Sequence, residues 1–284
     1  MNKKVLLSVA IFLSIILLLA GCGSSNNSQS ANSQKVGDTP EGKTFKVGLE
    51  CDYPPFNWTQ LDDSNGAVPI DGCAEYAAGY DVEIAKKIAD GLGRELVIVK
   101  TEWSGLLPAL TSGKIDAIIA GMSPTAERKE SIDFSANYYK SDLVMVVKRG
   151  GKYEEATSIQ DFKGAKITAQ ISTFHYTVID QIEGVIKEPA MDDFSAMRVA
   201  LESGMIDGYI SEKPEAVSAA AANENFTFVE FEDGFVTSDD DTAIAVGLVK
   251  ESELIEEINE VLVGISDAEK EELMDKAIEN QPEE

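Results

Sequence analysis

Ala109-Leu110-Thr111-Ser112-Gly113-Lys114-Ile115-Asp116-Ala117 returns 91 residues later as Ala200-Leu201-Glu202-Ser203-Gly204-Met205-Ile206-Asp207-Gly208, with six of nine positions identical. Each copy reads as the end of a helix, a glycine stop and the start of a strand. A single recurrence at this spacing does not make a solenoid, whose units repeat every 20–50 residues or so. Two similar α/β lobes fit it better, each carrying the motif at the same structural position.

Outward from the first copy, short β-branched runs alternate with helical patterns from Lys43 onward, the α/β signature. Thr44-Phe45-Lys46-Val47-Gly48-Leu49 reads as the first strand. Asp81 is placed to cap a helix whose apolar positions Ala85, Ile88, Ala89 and Leu92 follow the i, i+3, i+4, i+7 rule. Gly91 and Gly93 end that helix before a strand at Glu95–Lys100. Leu106 to Leu110 opens another helix, with Pro108 tolerable because it falls in the first turn. Beyond the second copy, Leu254, Ile258, Val261, Leu262 and Ile265 form one apolar stripe, read as core packing. Ser266 with Glu269 then resembles a capping box opening a last helix through Leu273, Met274, Ala277 and Ile278.

The chain has 284 residues, 24 Lys+Arg against 50 Asp+Glu, and a formal charge of −26. That length suits one large or two medium globular units. Such acidity excludes a nucleic-acid binder, since no basic surface could neutralise a run of phosphates. It also disfavours electrostatic docking on anionic lipid. One histidine and three scattered cysteines leave no zinc-type cluster, so neither a metal nor another cofactor is expected.

Lys3 and Lys4 precede an almost unbroken apolar run from Val5 to Ala20. Its sixteen residues fall short of the roughly 20 a membrane span needs, but suit the h-region of a signal peptide. Leu19-Ala20-Gly21-Cys22 resembles the bacterial lipobox, whose cysteine receives a lipid and becomes the new N-terminus. An ordinary secretory signal with a chance cysteine is the alternative. Residues 1–21 are thus assigned as signal peptide, and the polar stretch 22–42 as the lipidated Cys22 with a flexible tether. A lipid, a tether and an acidic globule describe a protein held outside the bacterial cell membrane by its anchor alone.

Gly79-Tyr80-Asp81-Val82-Glu83-Ile84, followed by Ile88-Ala89 and Leu92, closely resembles the signature stretch of the family 3 extracellular solute-binding proteins, the amino-acid receptors of ABC importers. Four further segments resemble that family in the same order. They are Cys51-Asp52-Tyr53-Pro54-Pro55-Phe56, Trp103-Ser104-Gly105-Leu106-Leu107-Pro108-Ala109-Leu110, Ala120-Gly121-Met122-Ser123-Pro124-Thr125-Ala126-Glu127-Arg128 and Ile132-Asp133-Phe134-Ser135. The likeness covers essentially all of residues 43–284. It implies a periplasmic-binding-protein-like α/β fold, two lobes joined by two hinge strands that close around an amino acid in the cleft. Lobe 1 is expected over 43–141 and 242–284, and lobe 2 over 142–241. The resemblance further implies a monomer that is not an enzyme and delivers a free amino acid to ABC permease subunits.

A free amino acid is a zwitterion, so its site must offer a cation to the carboxylate and an anion to the ammonium; burying either charge unpaired costs several kcal/mol. Arg128 follows the first echo strand, and its fork suits a bidentate grip on a carboxylate. Ser123 resembles the family position whose hydroxyl and N–H meet the same carboxylate. Glu212 follows the second echo strand and resembles the family's acidic anchor for the α-ammonium, where Asp is usual. Each lobe thus supplies one charge and only a closed form holds both, a physical reason for ligand-driven closure. Tyr53 and Trp103 resemble the aromatic pair that sandwiches the ligand side chain, with core packing as the alternative. Gly121, beside Ala120, would admit the ligand close to the backbone.

Gln170-Ile171-Ser172-Thr173-Phe174-His175 takes the place of a Gly-Ser/Thr-Thr-like turn whose N–H groups cap the α-carboxylate in the family. Gln170, Thr173 and Phe174 are therefore expected at the ligand. Phe174 and His175 depart from the common pattern, and His175 reads as a wall residue with no metal role. Glu50 matches the family's acid near the distal end of the ligand. With Asp52 it tilts the expected ligand slightly toward a basic side chain, although a glutamine amide would satisfy the same acid.

Residues 59–78 resemble an insertion into the family's shorter hairpin and hold Cys73. A bridge from Cys51 to Cys73 is favoured, because an extracytoplasmic compartment permits it and such a loop closure is worth roughly 3 kcal/mol. Two buried free thiols are the alternative. From other classes, a cyclohexadienyl-dehydratase-like enzyme would need Glu212, Glu50 or His175 as general acid. A sensory or adhesive surface lipoprotein could also use this binding fold.

Overall fold

A computed structural model of the protein describes residues 44–282. The signal peptide, Cys22 and the tether lie outside those residues. The first part of the chain forms β1 (Thr44–Leu49), β2 (Asp52–Tyr53), β3 (Asn57–Gln60), β4 (Val68–Pro69), β5 (Tyr76–Ala78), α1 (Tyr80–Gly91) and β6 (Glu95–Lys100). It continues through α2 (Trp103–Thr111), β7 (Ala117–Ile118), α3 (Ala126–Ser131), β8 (Ile132–Lys140) and β9 (Leu143–Lys148). Next come β10 (Lys166–Thr168), α4 (Phe174–Val178), β11 (Ile186–Lys187), α5 (Phe194–Ser203), β12 (Gly208–Glu212), α6 (Lys213–Ala222) and β13 (Phe226–Val229). β14 (Ala243–Val249), α7 (Leu254–Gly264) and α8 (Asp267–Asn280) complete the described chain.

These elements build two five-stranded mixed sheets of matching plan. One runs β6-β1-β7-β14-β8 and the other β11-β10-β12-β9-β13. In each, three parallel strands end at the middle strand, which pairs antiparallel with the fourth, itself antiparallel to the fifth. We call the body around each sheet a lobe. The chain passes from the first sheet to the second through Ser141 and Asp142, and returns between Val229 and Ala243. The two crossings lie side by side, with the Ser141 N–H donating to the Thr242 carbonyl at 3.0 Å.

The echoed motif occupies equivalent places in the two sheets, and its chemistry explains the repeat. Gly113 and Gly204 take the left-handed conformation, φ +74° and +76°, that stops α2 and α5. Ile115 and Ile206 each plunge into the core. Asp116 Oδ2 accepts from the Lys46 N–H at 2.8 Å, and Asp207 Oδ2 accepts from the Lys166 N–H at 2.8 Å. The N–H of each aspartate donates back to the carbonyl of the same lysine, also at 2.8 Å. Each lobe therefore pins the second strand in its sheet order, β1 or β10, with an equivalent aspartate.

β9 is apolar on both faces. Val144 and Val146 join an apolar cluster shared with the first lobe, while Met145 and Val147 join a second cluster around Phe162, Ile167 and Ile179. That alternation is what a strand covered on both sides requires. Residues 59–78 build most of a small antiparallel sheet, β2-β3-β5-β4, beside the first lobe.

Several local expectations are corrected. Asp81 does not cap α1, whose N-cap is Gly79; its carboxylate is wholly buried and accepts from Asn57 Nδ2 at 2.8 Å and Tyr138 Oη at 2.7 Å. α2 starts at Trp103, three residues before Leu106, so Pro108 lies inside the helix and cannot donate to the Ser104 carbonyl. Ser266 does cap α8, accepting from the Glu269 N–H at 3.3 Å, but Glu269 spends its side chain on Lys87, 2.5 Å away. The Cys51–Cys73 bridge is absent: both cysteines are free. Cys51 has φ +57°, with its thiol in the apolar core and its backbone bound by Asn57 and Thr59. Cys73 sits on an exposed turn.

Candidate functional site

The C-terminal ends of the parallel strands of both sheets converge on one cleft, where doubly wound sheets place their ligands. A cavity there is lined by Tyr53, Trp103, Gly121, Ser123, Arg128, Gln170, Thr173, Phe174, His175 and Glu212. Nine of the eleven residues expected from the sequence stand in that wall. Glu50 and Ala120 do not. Ala120 is fully buried behind Gly121, and Glu50 stands behind Gln170, whose Nε2 donates to Glu50 Oε1 at 3.0 Å.

Arg128 belongs to α3, whose N-cap Thr125 accepts from the Arg128 N–H. Its Nη1 donates to the Ser123 carbonyl at 2.9 Å, and its Nη2 to the Ser172 carbonyl of the second lobe at 3.0 Å. The guanidinium lies over the Trp103 ring, 5.0 Å from its centroid. Burial pushes its pKa down to about 10, leaving it a cation at neutral pH.

Glu212 ends β12 at the N-cap position of α6. The first turn of α6 is fixed below it by Glu215, which accepts from Arg198 Nη2 and Tyr209 Oη, each at 3.0 Å. Glu212 Oε2 accepts the Tyr53 hydroxyl, and Oε1 lies 3.1 Å from His175 Nε2. Burial alone would raise the Glu212 carboxyl; the neighbouring His175, together with the Tyr53 hydroxyl, outweighs it and holds the acid below its ordinary range. A cation from the first lobe and an ionised acid from the second thus share one cavity.

The expected aromatic pair has packing partners of its own. Tyr53 and Trp103 both line the cavity, yet the Tyr53 ring stacks between Phe56 (4.9 Å between centroids) and Phe194 (4.4 Å). Gly121 is required by Tyr53 itself: a Cβ there would sit 2.7 Å from Tyr53 Cε1, and the backbone has φ +61°. The lobe-2 turn opens α4 with Thr173 as N-cap, its hydroxyl donating to the Gln170 carbonyl at 2.7 Å.

At the distal end, Glu50 Oε2 is buried without a hydrogen-bond partner. Desolvation first, and then the nearby Asp52, raise the Glu50 carboxyl to about 8. Asp52 accepts from Ser195 Oγ at 3.0 Å. Three contributors escaped the sequence reading: Phe194, His175 as a partner of Glu212, and the Asn57–Asp81–Tyr138 network. Phe194 follows an Asp-Asp pair at a helix start and reads as ordinary core. Nothing in a linear sequence marks it as the neighbour of Tyr53. Among the described residues, no group of three or more His, Cys, Asp or Glu side chains could hold a metal ion.

Residues 45–280 match the bacterial extracellular solute-binding proteins, family 3. The chain belongs to this family. As a family 3 solute-binding protein it is extracytoplasmic, and among its described residues no helix is long and apolar enough to cross a membrane. It is 28% identical to the arginine-binding extracellular protein ArtP of Bacillus subtilis, over 94% of each chain. A probable histidine-binding protein of Campylobacter jejuni is 30% identical, over 75% of this chain and 80% of the relative. Among solved structures, an amino acid ABC transporter substrate-binding protein from Streptococcus pneumoniae bound to L-arginine superposes with a TM-score of 0.74 at 28% identity. That superposition covers 84% of this chain and 94% of the other. An ancestral arginine-binding protein bound to glutamine gives 0.68 at 29% identity, covering 82% of this chain and 97% of the other. The family 3 architecture is thus periplasmic-binding-protein-like, two α/β lobes with a cleft between them.

Proposed function

We propose that the protein is the receptor of an ABC importer, binding a free L-amino acid in the interlobe cleft and delivering it to permease subunits. The reading is carried by one observation: Arg128 of the first lobe and Glu212 of the second stand in the wall of the same aromatic-lined cavity. Arg128, with Ser123 and the turn at Thr173, takes the α-carboxylate. Glu212 takes the α-ammonium. The lobes, 43–141 with 242–284 and 142–241, hinge at the two crossings, and closure completes the site.

A basic side chain is the favoured cargo, with arginine first. Glu50 carries a buried, unpartnered carboxylate oxygen with Asp52 close by, and such a pair is relieved by a cation. An arginine-binding relative and a probable histidine-binding one point the same way. A cyclohexadienyl dehydratase would need a protonated general acid in the cleft. The Glu212 carboxyl is held below its ordinary range despite its burial, which suits an ammonium anchor, and Glu50, raised to about 8, stands behind Gln170 outside the cavity wall, so binding without catalysis is the reading adopted. The anchoring lipid on Cys22 and a monomeric state complete the proposal.

A thermal-shift screen of the purified protein against the twenty amino acids tests it. A ligand at 100 times its Kd adds about 2.7 kcal/mol. Stabilisation by arginine, lysine or histidine supports the full reading. A response to neutral ligands alone keeps the receptor and discards the basic preference. No response to any amino acid overturns both.

A further inference from the structure

His175 is the second residue of α4 and is only 4% exposed. Its Nε2 is 3.1 Å from Glu212 Oε1, within ion-pair range, while neither ring nitrogen has a hydrogen-bond partner. The other oxygen of the same carboxylate accepts the Tyr53 hydroxyl. The acid assigned to the ligand's ammonium therefore already faces a side chain that can itself become a cation.

The surroundings leave Glu212 as the natural partner. Arg128 on α3 and Tyr53 on β2 share the cavity wall with His175, and one is a cation while the other is a neutral hydroxyl committed to Glu212. Phe174 covers the imidazole at 4.3 Å between centroids. Tyr176 on the same helix donates its hydroxyl to the Glu188 carbonyl at 3.1 Å, and its ring lies under Lys187. Asp180, on the 3-10 turn that follows, is paired with Lys187 at 2.9 Å.

With a neutral imidazole, Arg128 and Glu212 sum to zero charge, which matches a zwitterion. With an imidazolium, the site carries one extra positive charge and matches a carboxylate without an ammonium. We infer that His175 determines the α-amino specificity of this site: its imidazolium and the ligand's ammonium compete for the Glu212 carboxylate, so preference for the amino group is lost when His175 is protonated. The inference rests on Glu212 being the ammonium anchor. Charges within about 4–6 Å alter each other's proton affinity by roughly one to three units, a factor of ten or more in binding. The lowered pKa of Glu212, to which His175 contributes, agrees with this coupling.

The test is calorimetric titration of the purified protein with arginine and with 5-guanidinopentanoate, which is arginine without its α-amino group, at pH 8 and pH 5. Glu50, raised by burial to about 8, titrates in this window but stands toward the ligand side chain and acts alike on both ligands; Asp81, raised to about 7 and coupled to Glu212, keeps its effect in the His175 variants, which are its control. The affinity ratio therefore isolates the ammonium. In the wild type the preference for arginine should fall about tenfold or more from pH 8 to pH 5. In His175→Gln and His175→Asn, checked for folding by thermal melt, the ratio should change less than about twofold. Glutamine against glutaramate repeats the comparison without a charged side chain. A flat ratio in the wild type, or an equal fall in both variants, overturns the inference while leaving the receptor intact. Failure of the wild type to bind any amino acid at pH 8 overturns the inference and the proposed function together.

Discussion

Glu50 Oε1 accepts a hydrogen bond from Gln170 Nε2 at 3.0 Å, joining the end of β1 to the loop after β10 across the cleft. The carboxyl behind that bond is raised by desolvation, and by Asp52 beside it, to about 8. At pH 7 it is mostly protonated until a cation arrives. Arginine binding at pH 7 should thus release close to one proton more from the wild type than from Glu50→Gln. Calorimetry in buffers of different ionisation enthalpy counts these protons, and equal counts would sink the claim. The same group makes ligand-free stability fall as pH rises from about 4.5 toward 8, because the unfolded chain, with its ordinary pKa of 4.5, gives up its proton first. Each unit of that gap is worth about 1.4 kcal/mol, so Glu50→Gln should flatten the decline in urea titrations at pH 5 and pH 8.

Arg128 and Glu212 are the two charges that the proposed function assigns to a zwitterion, and each is bonded in place. Removing one partner of a buried charge pair costs about 2–5 kcal/mol. Arg128→Met and Glu212→Gln should each weaken amino-acid binding by at least about 30-fold, with melting temperatures near that of the wild type. Wild-type affinity in either variant would show that the ligand's charged groups bind elsewhere.

Gly121→Ala should destabilise the fold by about 1–3 kcal/mol, combining a left-handed backbone with a Cβ forced 2.7 Å from Tyr53. Affinity should fall too, since relief of the clash displaces Tyr53 from the hydroxyl bond to Glu212. Gly93, also left-handed but with nothing within 4 Å of an added Cβ, separates the two causes. Gly93→Ala should cost stability and spare binding. Urea melts with binding isotherms read both effects.

Asp116 and Asp207 do the same work in different lobes, each accepting from a lysine N–H at 2.8 Å. Asp116→Ala and Asp207→Ala should each cost about 1 kcal/mol, the net worth of one hydrogen bond, and by similar amounts. A large inequality between them in denaturant unfolding would break the equivalence of the two lobes.

Cys51 is buried, with its thiol pushed up to about 12 by desolvation, whereas Cys73 is exposed. Thiolate is the reactive form, so a maleimide should label Cys73 in the native protein and reach Cys51 only after unfolding. Rapid labelling of Cys51, or labelling of neither Cys51 nor Cys73 before reduction, would refute this arrangement.

Much of this was legible in the chain because it is local. The strands Thr44–Leu49 and Glu95–Lys100 stand where β-branched alternation put them, and the Gly113 and Gly204 stops and the Ser266 cap are set by neighbours within a few residues. Charge type was legible as well: the guanidinium after one echo and the carboxylate after the other both line the cavity. Where the reading slipped, a distant partner had intervened. Asp81 looks like a helix cap from its neighbours, yet Asn57 and Tyr138 claim its carboxylate. Cys51 looks available for a bridge, yet its backbone turn carries the thiol into the core.

The sequence by itself determined the two-lobed α/β plan and the residues of opposite charge, since periodicity, glycine stops and residue type act over short range. Only the tertiary structure decided which of those residues meet. Tyr53 is separated from Phe194 by more than a hundred positions and from Glu212 by 159. Such contacts exist because packing closes long loops at little extra entropy per residue, and packing is fixed by shape and burial over the whole fold.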